Sequence, residues 1–167
     1  MPEEFDEGGE DLEQPPAFFP YEADSPTGEA VDYGEPVEVS VEGVFAVENN
    51  GTVQQFVLLS DGTRKVPILI GAFEATAITL ALEGKTPDRP MTHDLLKTIM
   101  DRLEGELDRV VIDDLWSTTF YAKLYVLNVD GEEMCVDARP SDAIALALRC
   151  DASVFVADGI LDQSGGL

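Results

Sequence analysis

An α+β fold is predicted, with antiparallel sheets, packed helices and two β-β-β-α units separated by one inserted helix. Three observations predict it. Apolar residues alternate with polar ones in two separate sets of three short stretches. Each set is followed by a longer Ala/Leu-rich stretch of helical length. The two halves also overlay at an offset of 66, with Ala77 to Leu82 on Ala143 to Leu148 and Val44 on Val110. An old duplication explains this match, and so does chance likeness between Ala/Leu helices; both readings stay open.

Along the chain, Met1 to Glu35 holds 12 acidic residues, no Lys or Arg, and repeated Pro and Gly. Such a stretch buries too little apolar surface to offset its ordering entropy, so 1–35 is expected to be a disordered acidic tail. Its aromatics Phe5, Phe18, Phe19, Tyr21 and Tyr33 are either short docking elements or parts of a solvating leader, the second being the more ordinary role. A domain over 36–162 follows, and 163–167 is expected to fray. Val37, Val39, Val41, Val44 and Ala46 mark the first strand, closed by a turn at Asn49-Asn50-Gly51. Val53 to Leu59 and Val66 to Ile70 are the next two, joined at Asp61-Gly62. Ala72 to Glu83 is apolar on nearly every face, which predicts a buried helix capped at Gly84. The inserted helix runs from Thr92, its expected N-cap, to Leu103. Val110 to Leu115, Phe120 to Leu127 and Glu133 to Asp137 are the second set of strands, and Pro140 opens a helix to Arg149. Ser153 to Val156 closes the domain as a short strand, followed by a helical turn at Asp158 to Leu161.

Composition narrows the function. The 167 residues include 34 acidic and 10 basic side chains, a formal charge of −24. One domain with a real core is expected from the length and the 44% apolar content. No run of residues has the length and apolarity of a membrane span, and the opening segment lacks a signal peptide's basic and apolar regions, so a cytoplasmic location with no membrane partner is expected. Cys135 and Cys150 are too few and too far apart for a disulfide scaffold or zinc knuckle. Acids spread along the whole chain argue against a basic nucleic-acid-binding surface and for salt adaptation, because high salt screens self-repulsion. Taken alone, the domain is at −12, with 22 acids against its 10 bases.

Neither a phosphate-binding glycine loop, a zinc motif nor a nucleophile elbow is present. Polar residues interrupt the apolar elements in two places, Arg89-Pro90-Met91-Thr92-His93-Asp94 and Asp137-Ala138-Arg139-Pro140-Ser141-Asp142. Both carry an Arg-Pro step before a helix start, where unpaired N–H groups favour anions. If the segments meet, phosphodiester hydrolysis has its parts. His93, Asp94 and Asp142 are the catalytic candidates. Arg89, Thr92, Lys97, Arg139 and Ser141 would bind substrate, and Asp94, Asp137 and Asp142 would hold a divalent metal such as Mg or Mn. The competing role of each carboxylate is to cap or complement a helix dipole. Glu74 could face the same site, and Thr118, Thr119 and Tyr121 could line a pocket.

The stretches PILIGAFEATAITLALEG, RPMTHDLLKTIM, TTFYAKLYV and VDARPSDAIALALR, in that order, resemble the bifunctional nuclease domain family from about Pro36 to Leu161. That resemblance implies a compact α+β domain, commonly a homo-oligomer, with RNA and DNA as substrates. The family's motif positions correspond to Arg89, Thr92, His93, Asp94, Asp137, Arg139, Ser141 and Asp142. The resemblance carries no catalytic assignment for them. The alternative function is a non-catalytic anion-binding or interaction module.

Overall fold

The computed structural model describes residues 31–164. The expected tail to residue 30, its aromatics up to Tyr21 and the last three residues of the expected frayed end lie outside them. β1 (Pro36–Asn49) and β2 (Thr52–Ser60) form a long hairpin closed by Asn50 and Gly51, both at positive φ. Asn and Gly are the residues that enter this conformation at least cost, which is why the turn is readable in the sequence. A bulge between Val41 and Gly43 explains the break in β1's alternation. β3 (Lys65–Ile70) pairs with β2 across a loop in which Asp61 Oδ1 accepts the backbone N–H groups of Thr63 and Arg64.

α1 (Ala72–Leu82) and α2 (Thr92–Arg102) follow. Next come β4 (Glu106–Trp116), β5 (Thr119–Leu127) and β6 (Glu133–Ala138), a second antiparallel meander. α3 (Pro140–Cys150), β7 (Ser153–Ala157) and α4 (Asp158–Ser164) complete the chain.

All seven strands form one sheet in the order β3-β2-β1-β7-β4-β5-β6. Each meander is followed by a helix, as expected, with α2 between them. The departure from an all-antiparallel plan is β7, which sits between the meanders, antiparallel to β1 and parallel to β4. Its alternating Val154 and Val156 are buried, so this short strand is the seam of the sheet and not a closing edge.

Several boundaries move for physical reasons. β4 starts four residues before Val110, because a bulge between Leu107 and Arg109 hides the alternation. Met91, not Thr92, is the N-cap of α2, and Thr92 is its first helical residue. The helix buried all round is α3, whose Ala143 to Ala147 are all buried, whereas α1 leaves Phe73 and Leu82 exposed. Alternating alanines let α3 approach its neighbours closely. It contacts α1, α2, β4, β5 and β7. At the ends, Tyr33 donates to the Leu115 carbonyl, and Tyr33 and Glu35 carbonyls accept from Gly159 and Asp158. The last part of the expected tail is therefore built into the domain, and α4 extends three residues beyond Leu161. Both cysteines are free, Cys135 exposed on β6 and Cys150 half-buried. Among the described residues, no helix is long and apolar enough to cross a membrane.

Candidate functional site

The three longer helices begin alike. Glu74, Asp94 and Asp142 each stand at the third helical residue of α1, α2 and α3. A carboxylate there meets unpaired N–H groups and the positive end of the helix dipole. Asp94 makes this concrete, since its Oδ2 accepts the Met91 N–H at 2.9 Å.

Two arginines tie these starts together. Arg149, 8% exposed, donates to Asp94 Oδ1 at 2.6 Å and to the carbonyls of Ala145 (2.7 Å) and Ala77 (3.2 Å), so one guanidinium spans α1, α2 and α3. Arg139, which caps α3, donates to Asp142 Oδ2 at 2.7 Å and to Glu74 Oε1 at 3.2 Å. On its other oxygen, Asp142 meets His93 Nε2 at 3.0 Å. Burial raises the Asp142 and Asp94 carboxyls, but the arginine hydrogen bonds outweigh it, with His93 adding to Asp142, and both lie below the ordinary carboxylate range. An ionised Asp142 only accepts, so the His93 nitrogen facing it carries the proton. The resulting order is His93, Asp142, Arg139, Glu74, with His93 the most buried and Arg139 the most exposed of the four.

That series ends at an open cleft of about 1000 Å³. Its walls come from β2 and β3 at one end of the sheet, the β4–β5 turn, and the starts of α1 and α3. Glu74 and Arg139 are the charged lining residues; Gln54, Gln55, Thr118, Thr119 and Ser141 are the polar ones. Among the apolar lining are Phe56, Leu69 and Phe120. Gly71 brings Glu74 to the rim closely: a Cβ there would stand 2.3 Å from Glu74 Oε2.

Of the residues expected to bind substrate, Arg139 and Ser141 line this cleft. Arg89 and Thr92 are exposed around the start of α2, away from its lining, and Lys97 is occupied by Asp101 at 2.6 Å. His93 and Asp142 meet as the two segments come together, but His93 is buried behind Asp142. Asp94 belongs to the Arg149 cluster, and Asp137 lies on exposed β6 opposite Lys123 in the pairing register. The three aspartates expected to hold a metal are thus spread over three settings. Among the described residues, no group of three or more His, Cys, Asp or Glu side chains is placed to hold a metal ion. These carboxylates do not fit a metal-ligand set as they stand.

Glu74, Thr118 and Thr119 do line the cleft, while Tyr121 does not. Sequence reasoning misses the β2–β3 wall, since only the folding of the sheet brings it opposite α3. It also misses Arg149, whose role has one visible trace, a cation ending an otherwise apolar helix.

Fold and site together define an α+β domain with an apolar cleft and one arginine held at a helix start. The model of the bifunctional nuclease domain family matches residues 57–166. The chain belongs to that family. An uncharacterized protein of Mycobacterium tuberculosis is 38% identical over 128 residues, 77% of this chain and 76% of that protein. Bifunctional nuclease 2 of Arabidopsis thaliana is 29% identical over 101 residues, and bifunctional nuclease of Oryza minuta 26% over 102. The matches take in 59% and 60% of this chain but only 31% of each plant protein.

Proposed function

We propose that this domain hydrolyses phosphodiester bonds of RNA or DNA in the cleft between β2–β3 and the start of α3. One observation carries the reading: Arg139, with its side chain 67% exposed, lines the cleft at a helix N-terminus and is aimed by carboxylates on two helices. A guanidinium in this position meets a phosphate with two parallel donors, and Ser141 beside it offers a hydroxyl. Glu74 is the cleft carboxylate able to accept a proton from an attacking water. Asp142 and His93 act through Arg139 as positioning residues, and Asp94 holds the start of α2 against α3 through Arg149. The likeness to plant proteins named bifunctional nucleases supports nucleic acid as the substrate class.

A divalent cation stays an open component to be tested, and no step is drawn through it. A second reading, a non-catalytic anion-binding module, is favoured by the two carboxylates that already occupy Arg139. The deciding experiment incubates the purified chain with labelled single-stranded RNA and DNA at high salt, with Mg²⁺, with Mn²⁺ and with chelator. Cleavage is expected in at least one condition, and Arg139→Ala is expected to slow it by about a hundredfold while circular dichroism stays unchanged. Substrate left intact in every condition would select the module.

A further inference from the structure

We infer that the cleft receives unpaired nucleotides, with one phosphate on Arg139 and the base against the apolar wall. The inference rests on nucleic acid being the ligand, as proposed above, and goes further in excluding duplex.

Charge gives the first argument. Duplex presents one negative charge per ~1.7 Å of axis and is usually held by many Lys and Arg contacts. The cleft offers one lining cation, Arg139, within a domain at −12. Arg139 can serve one phosphate. The rest of the affinity must then come from contacts insensitive to charge.

The walls provide such contacts. Phe56 and Phe120 line the cleft beside Leu69, which is 59% exposed. Aromatic faces of this kind stack on single-strand bases whatever the sequence. Gln54, Thr118 and Thr119 add amide and hydroxyl groups able to meet base edges. Bases in a duplex are already stacked and paired and cannot make these contacts.

The test is fluorescence anisotropy with three labelled DNA probes of equal length: a mixed-sequence single strand, its abasic counterpart and the duplex. KCl is varied over concentrations at which circular dichroism shows the chain folded. The single strand is expected to bind about tenfold or more tightly than either other probe. Its log affinity should fall with log salt at a slope near about −0.7, the value for one single-strand phosphate. Leu69→Ala, at an exposed position, and Phe120→Leu, which keeps an apolar side chain but removes the ring, should weaken the single strand severalfold and leave the abasic probe unchanged. Equal affinity for the single strand and the abasic probe, or for duplex, or a slope several times steeper, overturns the inference while leaving the nuclease reading in place. Failure of all three probes to bind overturns the inference, while the cleavage assay decides the nuclease reading separately.

Discussion

Arg149 shows how much a single side chain decides here. Its guanidinium is buried, touches three helices and neutralises Asp94, so removing it takes the charged partner from Asp94, which keeps only the Met91 N–H, and one donor from each of two carbonyls. Arg149→Met keeps the apolar stem and should destabilise the chain by about 3 kcal/mol at neutral pH in denaturant titrations. Asp94 is held below its ordinary value of 3.8 because the Arg149 and Met91 hydrogen bonds outweigh burial. A depressed carboxylate stabilises the fold above its unfolded value, and that contribution disappears as pH falls through the folded one. The gap between parent and variant should therefore narrow below about pH 4. The part due to the two carbonyls remains, since they do not titrate. A gap unchanged between neutral and acid pH would mean that Asp94 gains nothing from the arginine. At this scale the sequence was only half legible. Acids at helix starts are visible as a pattern, but which arginine answers which acid depends on contacts 55 and 65 residues apart along the chain.

Helices and strands were more legible, because their signals are local. The Asn50-Gly51 turn, the Gly84 cap at its positive φ and Pro140 opening α3 are written in residue chemistry and occur where expected. Elements with bulges or unusual turns were read less well. Ser117 and Thr118 turn the β4–β5 hairpin at positive φ without a glycine, and so gave no signal. α2 raises a separate question, since Leu95, Leu96, Ile99 and Leu103 leave an apolar stripe exposed along and just beyond it. Assembly with identical chains was an expectation from the family resemblance, and this stripe is the face on which to test it. If identical chains cover it, Ile99→Glu with Leu103→Glu should reduce the mass found by light scattering to that of one chain, leaving the circular dichroism spectrum unchanged. A parent protein that is already monomeric at all concentrations would remove the expectation.

For the whole molecule, charge was legible at once and its placement was not. The domain's excess of acids is distributed around a few cations that act as hubs. Arg64 is the clearest case, donating to Asp61, Asp158 and Asp162 at 2.6–2.9 Å and so joining the β2–β3 loop to α4. Backbone N–H groups of Arg64 and Thr63, with the Arg64 side chain, bring the Asp61 carboxyl down to about 2. Arg109 similarly joins Asp108 and Glu133 while lying 3.9 Å from the Tyr125 ring centroid. Salt acts on this arrangement in two opposing ways. It screens the repulsion among unpaired acids over a distance of about 10 Å at 0.1 M and about 3 Å at 1 M, and it weakens exposed ion pairs at the same time. Exposed pairs contribute about 0–1 kcal/mol each, whereas the net excess of acids repels throughout the domain, so screening should win. Stability is therefore expected to rise steadily as KCl increases from about 0.1 M to about 2 M, followed by the denaturation midpoint in urea, which adds no charge of its own. Replacing Arg64 with Gln should lower the midpoint most at low salt, where the three aspartates around it are least screened. Its effect should shrink as KCl is raised. Full stability in dilute buffer, or an Arg64→Gln effect independent of salt, would mean that the acids serve another purpose than adaptation to salt.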